Sequence, residues 1–388
     1  MRFKDNNGDE FPKWNVKFGN DIFQNISDKN HNSELPILAI TQEYGAVPRD
    51  LIDYKISVTD KSIESYKVVQ KGDFIISLRS FQGGIEYSEY KGICSPAYII
   101  LRPSVPIDNI FYKYYLKTPK YITHLNRKLE GIRDGKMISY KYFSDITLPL
   151  PSIAEQNKIS SFLSLIEARI QTQKKIISHL ETLMNELRER IFSQKLRFID
   201  DLGHNFPKWN LEKLGNVGTF FSGGTPFTSN KNYYKGNIPF IKSGEICSTA
   251  TTQFISEEAL QNSSAKMINR GDLLYALYGA TSGEVGLSKI DGAINQAILC
   301  IRTSLNSLYL LNYLKFKKEN ILNTYLQGGQ GNLSADIVKS LIIPVPNSEE
   351  QTKIAQMFSS LDIRINLEKD LLLQYENQKK YLLANLFV

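Results

Sequence analysis

Four histidines and three cysteines are the residues of this sequence best equipped to hold a metal or begin covalent chemistry, and their spacing argues against both. His31, His124, His179 and His204 are scattered through different predicted elements, with no metal-ligand spacing and no triad arrangement. Cys94, Cys247 and Cys300 stand about fifty or more residues apart, which suggests neither a zinc site nor a disulfide framework; all three read as small, reduced core residues. Gly131-Ile132-Arg133-Asp134-Gly135-Lys136 comes nearest to a phosphate-binding loop, but it has one residue too few between its glycines and is followed by Met137, where Ser or Thr is needed. Lone Asp and Glu residues form no nuclease-like cluster. The other residues able to do chemistry are polar and basic side chains on loops beside glycine, which can donate and accept hydrogen bonds.

The bulk properties agree with an ordered protein that meets a polyanion. The chain has 388 residues, 42% of them apolar, with 21 Tyr and 20 Phe, enough for two or three domains that each bury a core. Net charge is +7 and the isoelectric point about 9.0, which suits nucleic acid without demanding it. No segment has the length and apolarity of a membrane span. The first residues, Met1-Arg2-Phe3-Lys4-Asp5, lead into no apolar stretch, so no secretory signal is read and the cytoplasm is the expected compartment.

The elements that must position such loops occur twice. Arg2, Phe3, Asp5, Gly8, Phe11, Pro12, Lys13, Trp14 and Asn15 recur 195 residues later as Arg197, Phe198, Asp200, Gly203, Phe206, Pro207, Lys208, Trp209 and Asn210. The same offset returns downstream, where Pro149-Leu150-Pro151 and Glu155-Gln156 match Pro344-Val345-Pro346 and Glu350-Gln351. Between these anchors the register slips by a few residues: Gly72-Asp73 answers Gly271-Asp272, Gly92 answers Gly292, and Tyr115-Leu116-Lys117 answers Tyr313-Leu314-Lys315. Side chains in the middle differ far more than those at the ends, as expected of two copies that share a scaffold but contact different things.

Each copy reads as α+β. Short β-type runs, such as Phe74–Leu78, Ala97–Leu101, Ile238–Ile241 and Ala297–Ile301, are punctuated by Gly and Pro. A helical stretch follows near Ile110–Leu129 and near Ser307–Tyr325, then a glycine-rich turn and a final strand into Pro-x-Pro. From Ile153 to Phe192 no Gly or Pro intervenes, and Ile159, Leu163, Ile166, Ile170, Gln173, Ile177, Leu180, Met184, Leu187 and Ile191 alternate by four and three. The second copy repeats this as Ile354, Phe358, Leu361, Ile365, Glu368, Leu372, Tyr375, Lys379, Leu382 and Leu386. A stripe of period 3.5 is a narrow coiled-coil seam that needs a partner helix. Each helix could pack only on its own domain, but each seam offers the other a matching stripe, and a unit packing on its own copy does so antiparallel about a two-fold axis. The expected architecture is two tandem globular α+β domains, residues 1–151 and 198–346, separated by two long helices, 152–197 and 347–388, that form an antiparallel coiled coil with pseudo-two-fold symmetry. Forty residues make a rod of about 60 Å, one to two turns of B-DNA, with a globular module expected at either end.

The second module carries Ser222-Gly223-Gly224-Thr225-Pro226, then Asn237 to Ile246, Gly271-Asp272-Leu273-Leu274 and Gly328-Gly329-Gln330-Gly331-Asn332-Leu333-Ser334. With the doubled Pro-x-Pro, Glu-Gln helix start, this order resembles the specificity (S) subunit of Type I restriction-modification systems, essentially end to end. The first domain departs from the pattern: it has no Gly-Gly-Thr-Pro turn and reads Gly131 to Ser139 where the second reads Gly328 to Ser334. The resemblance implies two target-recognition domains that read a two-part site on double-stranded DNA with a fixed gap. It implies two methyltransferase (M) subunits using S-adenosylmethionine, and two restriction (R) subunits using ATP and Mg, with no catalytic residue and no cofactor in this chain. The Asn/Asp-Pro-Pro-aromatic segment of adenine methyltransferases is indeed not found.

The resemblance makes polar and basic side chains on loops beside glycine the carriers of DNA readout, because Gln and Asn pair bidentately with adenine and Arg or Lys with guanine; the candidates are Arg79, Ser80, Gln82, Arg133, Lys136, Ser139, Tyr140 and Lys141 in the first domain. In the second they are Lys242, Ser243, Tyr278, Thr281, Ser282, Gln296, Gln330 and Asn332. Each could equally be a phosphate contact or a solvated loop residue. Two other functions fit the scaffold: a self-contained restriction or methylation enzyme, or a coiled-coil adaptor with no DNA role. If the helices act as a ruler, deleting one heptad from each shortens the rod by about 10 Å, roughly three base pairs. Methylation mapping then shows a shorter gap between unchanged half-sites; an unchanged gap refutes the ruler.

Overall fold

A computed structural model describes residues 2–32, 34–52, 63–127, 138–325 and 332–387. The chain forms two compact units. One unit combines Met1–Lys174 with Asp370–Val388, the other is Lys175–Lys369. The long helices Ile153–Phe192 (central) and Ser348–Asn385 (C-terminal) are each divided between the units.

Each unit is closed by a two-stranded antiparallel ribbon joining its first strand to its last. In the first unit Asn15–Phe18 pairs with Thr147–Leu150, Asn15 opposite Leu150. In the second Asn210–Lys213 pairs with Ile342–Val345, Asn210 opposite Val345. The ribbon delivers Pro-x-Pro to the start of a long helix, where a carboxylate is sealed in. Glu155, with no exposure, accepts from Arg2 Nη2 at 2.9 Å and from the Trp14 indole at 2.9 Å. Glu350 accepts from Arg197 Nη2 at 2.8 Å and from the Trp209 indole at 2.7 Å. The same guanidinium groups donate to Pro12 O and Pro207 O, both at 2.7 Å. In the neighbouring position, Gln156 accepts from Asp108 N and donates to Pro151 O, and Gln351 accepts from Asn306 N and donates to Pro346 O. A carboxylate in the first helical turn also meets the positive end of the helix dipole. Among the residues that recur at one offset, Arg, Trp, Glu and Gln are therefore the parts of one clamp.

Within each unit a four-stranded antiparallel sheet carries the loops. Its order in the first is Phe23–Ile26, Ile99–Pro103, Phe74–Ile76, Glu86–Tyr87, and in the second Gly218–Ser222, Ile298–Thr303, Leu273–Ala276, Val285–Leu287. The Gly-Asp pairs turn the chain into the third strand. Gly72 and Gly271 have φ of +99° and +93°, a conformation glycine alone adopts without strain. Asp73 then receives a two-pronged bond from Arg102, both contacts 2.8 Å, and Asp272 receives Arg302 in the same way. Burial works to raise the Asp272 carboxyl, but Arg302 and the Asn269 N–H hold it below its ordinary value. The second unit adds another four-stranded sheet, Phe254–Ile255, Ile238–Ile241, Gly292–Ile294, Lys266–Ile268, with one parallel pair between Ile238–Ile241 and Gly292–Ile294. The first has smaller ribbons in its place: Leu38–Thr41 with Gly45–Pro48, and Lys67–Val69 with Gly92–Cys94.

The expected seam is buried or half-buried along both helices, and the pairing is antiparallel within each unit. In the first, Ile159, Leu163, Ile166 and Ile170 share a core with Leu372, Tyr375, Leu382 and Leu386. Glu167 pairs with Lys379, and Lys174 with Glu376 at 3.6 Å. In the second, Leu180, Met184, Leu187 and Ile191 pack with Ile354, Phe358, Leu361 and Ile365, and Lys369 pairs with Glu181 at 2.6 Å. Ile177, Gln173 and Glu368 are buried as well.

Local details differ from the sequence reading. The strand expected over Phe74–Leu78 stops at Ile76, because Ser77 N–H turns to the Ser80 hydroxyl at 2.8 Å. The one over Ala97–Leu101 begins at Ile99, after a turn in which Tyr98 N–H meets Ser95 O. The one over Ala297–Ile301 occupies Ile298–Thr303. The first helical stretch is two helices, Asn109–Tyr115 and Pro119–Arg127: Pro119 has no N–H to continue the first, and the Thr118 hydroxyl accepts from Tyr121 N–H to start the second. Ser307–Tyr325 runs unbroken. Both glycine-rich turns lie outside the described residues. Cys94 and Cys300 are core residues whose thiols burial pushes up to about 12. Cys247 is exposed, which corrects the reading of all three as core, because it follows the surface turn Ser243–Glu245. No helix among the described residues is long and apolar enough to cross a membrane.

Replacing Glu350 by Gln turns an amide N–H₂ toward donors that need an acceptor, so Glu350→Gln should destabilise the protein by about 2–3 kcal/mol. A urea midpoint equal to that of the unchanged protein would refute the clamp.

Candidate nucleic-acid interface

In the second unit the backbone of one residue gathers the loops. Leu277, continuing the strand Leu273–Ala276, donates its N–H to Ala297 O at 2.8 Å, and its carbonyl accepts from Leu333 N at 2.9 Å and from the Ser282 hydroxyl at 3.0 Å. Three segments distant in sequence, Tyr278–Ser282, Asn295–Ala297 and Asn332–Leu333, thereby meet at one end of the sheet. The tight turn Gly279–Thr281 uses positive φ at Gly279 and Gly283. A fourth segment, Ser243–Glu245, lies alongside: a Cβ on Gly244 would sit 4.0 Å from Thr281 Cγ2. A fifth is the Gly-Gly-Thr-Pro turn, where Gly223 N–H donates to Asn295 O at 3.2 Å and the Thr225 hydroxyl to Gln296 Oε1 at 2.8 Å.

Of the candidates in this domain, Lys242, Gln296 and Asn332 are exposed, and Ser243, Tyr278 and Thr281 half-buried. Ser282 is buried, its hydroxyl spent on Leu277 O. Gln330 lies outside the described residues. Thr281 Oγ1 is buried and has no partner among the described residues. The nearby acid Glu245 is turned inward, accepting from Lys242 N–H at 3.1 Å and the Thr251 hydroxyl at 2.9 Å. Burial opposes its ionisation, but these donors hold its carboxyl below the usual carboxylate range. The loop thus keeps its negative charge occupied and leaves Lys242 outside.

The first unit builds a groove at the corresponding end of its sheet. The strand Phe74–Ile76 leaves into Ser77-Leu78-Arg79 and the short helix Ser80–Gly83. Arg79 and Gln82 are exposed, while Ser80 is buried as the acceptor for Ser77 N–H. Gln42 donates to Arg79 O at 3.4 Å, drawing the turn between Leu38–Thr41 and Gly45–Pro48 beside Arg79. Gln42, Glu43, Tyr44, Ser77, Arg79 and Tyr98 are among the residues lining a groove of 740 Å³. Gln42, Tyr44 and Tyr98 were not singled out in the sequence. The signal was there for Tyr44, 58% exposed, an aromatic ahead of a glycine that needs φ of +73°. Two of the remaining candidates are bonded within the fold: the Ser139 hydroxyl caps the helix Tyr140–Ser144 by accepting from Tyr142 N–H, and the Tyr140 hydroxyl donates to Phe23 O at 3.0 Å. That hydroxyl lies at the Phe23–Pro103 end of the sheet, whereas Arg79 leaves from the Ile76–Ile99 end. Lys141 is exposed; Arg133 and Lys136 lie outside the described residues.

Both surfaces offer donors and acceptors on loops anchored by backbone bonds, with lysine or arginine at the rim. This is the make-up of a surface that reads base edges while cations hold phosphates. Lys242→Ala should leave thermal stability unchanged, weaken duplex binding and reduce the slope of log affinity against log salt by about one. An unchanged salt slope would remove Lys242 from the interface.

The family described as the Type I restriction modification DNA specificity domain matches residues 12–182 and again 207–377. The chain is 24% identical over 411 aligned positions to the Type I restriction enzyme MjaVIII specificity subunit of Methanocaldococcus jannaschii, covering 97% of this chain and 93% of that protein. It is 22% identical over 354 to the MjaIX specificity subunit of the same organism, covering 82% and 80%. Its fold is like that of the crystal structure of the Type-I restriction-modification system S subunit from M. genitalium, with a TM-score of 0.58 at 17% identity over 97% of this chain and 96% of that one.

Proposed function

The chain belongs to the Type I restriction modification DNA specificity domain family, present in two copies, and from that premise we propose how it works. It is a DNA sequence-specificity subunit in which each module reads one half-site of a two-part target on double-stranded DNA, the gap between half-sites being set by the paired helices. The chain is not itself an enzyme. It recruits two methyltransferase subunits, which use S-adenosylmethionine to methylate a flipped-out adenine, and two restriction subunits that use ATP and Mg to cleave. The complex works in the cytoplasm.

One observation supports this reading above the others. The clamp of Arg, Trp and Glu is repeated residue for residue, while the loops at the matching sheet ends are built from different side chains, Gln42, Tyr44 and Arg79 in one unit and Lys242, Gln296 and Asn332 in the other. A constant frame with variable contacts suits identical partners and two different base sequences. Exchanging residues 1–151 for another recognition domain, co-expressing the chain with its methyltransferase and mapping N6-methyladenine across a genome gives the test. One half-site changes and the other stays; a change in both, or methylation at one continuous motif, overturns the proposal.

A further inference from the structure

The turn Thr225-Pro226-Phe227 holds a bare aromatic ring on a backbone with little freedom to move. Before it, the Thr225 hydroxyl donates to Gln296 Oε1 at 2.8 Å. After it, the Tyr234 hydroxyl donates to Pro226 O at 2.6 Å and Asn230 N–H to Phe227 O at 3.1 Å. Pro226 is buried, yet Phe227 is 74% exposed, the most exposed aromatic side chain among the described residues. A lone exposed ring is ordinary on a protein surface; what sets this one apart is its place, on a turn tied through Gly223 N–H to Asn295 O and through Thr225 to Gln296 at the end of the sheet where the recognition loops meet. Its surroundings narrow the choice. Thr225, Thr228, Ser229 and Lys231 are all exposed, so the ring stands alone among hydroxyls and an ammonium rather than in an apolar patch. A protein partner of apolar face would want the patch; a nucleic acid wants this mixture, with the flat ring against a base and the hydroxyls and Lys231 toward phosphates.

We propose that Phe227 is a base-stacking wedge, pressed against or between bases beside those contacted by Gln296. The inference rests on the DNA-specificity reading and adds a contact of another kind. Stacking is indifferent to base identity, so the ring fixes where the module sits along the duplex, and the cost of unstacking makes it favour a deformable pyrimidine–purine step. The first module, without the Gly-Gly-Thr-Pro turn, has no counterpart at this place in its sequence.

The test uses the full chain assembled with its methyltransferase subunits and a duplex carrying the target mapped by methylation. 2-Aminopurine is moved one position at a time through and beside the half-site read by residues 198–346. Apart from the adenine that the methyltransferase flips out, the unchanged complex should raise fluorescence at one step. Phe227→Ala should abolish that rise and weaken binding about tenfold, Phe227→Trp should keep both, and neither should shift the melting temperature. The wedge is overturned if Phe227→Ala keeps wild-type affinity, if the unchanged complex binds specifically but unstacks no base other than the flipped adenine, or if the substitution loses the methyltransferase subunits while assembled complexes bind DNA normally. Should the unchanged complex bind its target no better than a scrambled duplex, the specificity reading itself falls, and the wedge with it.

Discussion

A carboxylate with no exposure to water at the first turn of a long helix is an expensive thing to build, and the arrangement around Glu155 and Glu350 is organised to make it tolerable. Arginine and tryptophan from the start of the module, 153 and 141 residues earlier, supply the donors. They can reach only if the first strand lies against the last, which is what the terminal ribbons accomplish. The ribbon in turn fixes the direction in which Pro-x-Pro hands the chain to the helix, and the following glutamine ties that helix to the segment preceding Asp108 or Asn306. Sheet, ribbon and helix in each unit are thus held in one relation by a single buried charge and its donors.

The two copies differ where this constraint relaxes. Beyond the Gly-Asp turn and its arginine, the sheets open into loops of different length, and the second unit fills the space with a further four-stranded sheet where the first has ribbons. The seam also differs in its polar positions. Glu167 meets Lys379 in the first unit, while in the second Arg188 reaches Asn312 at 3.0 Å and lies over the Phe358 ring. Burial lowers the Arg188 guanidinium below its ordinary value. The frame is repeated but its polar inserts are particular to each copy.

Sequence alone was enough for the frame. Repetition at one offset marked Arg2, Trp14 and Glu155 before any reason for them was visible, and the period of 3.5 marked the seam, because both signals survive in a linear pattern. What escaped depended on distant backbone groups. Ser80 and Ser282 looked like loop hydroxyls available to a ligand, and each is spent on main chain within its own turn. Gln42 and Tyr98 join Arg79 through a groove whose walls come from segments that no local pattern links. Tyr140 went to a carbonyl more than a hundred residues away. Cys247 is exposed because of a surface turn that its apolar neighbours Ile246 and Ile241 conceal in the sequence.

The division of the long helices between units carries a consequence for the order of folding. Leu382, Leu386 and Phe387 belong to the core of the unit that begins with Met1, and the Phe387 ring lies 5.3 Å from Phe111 and 5.6 Å from Tyr115. On the ribosome, the segment made first must therefore wait, with an apolar stripe uncovered, while all of Lys175–Lys369 is synthesised. The second unit has every residue it needs earlier, although it starts later. Translation and completion therefore run in opposite order.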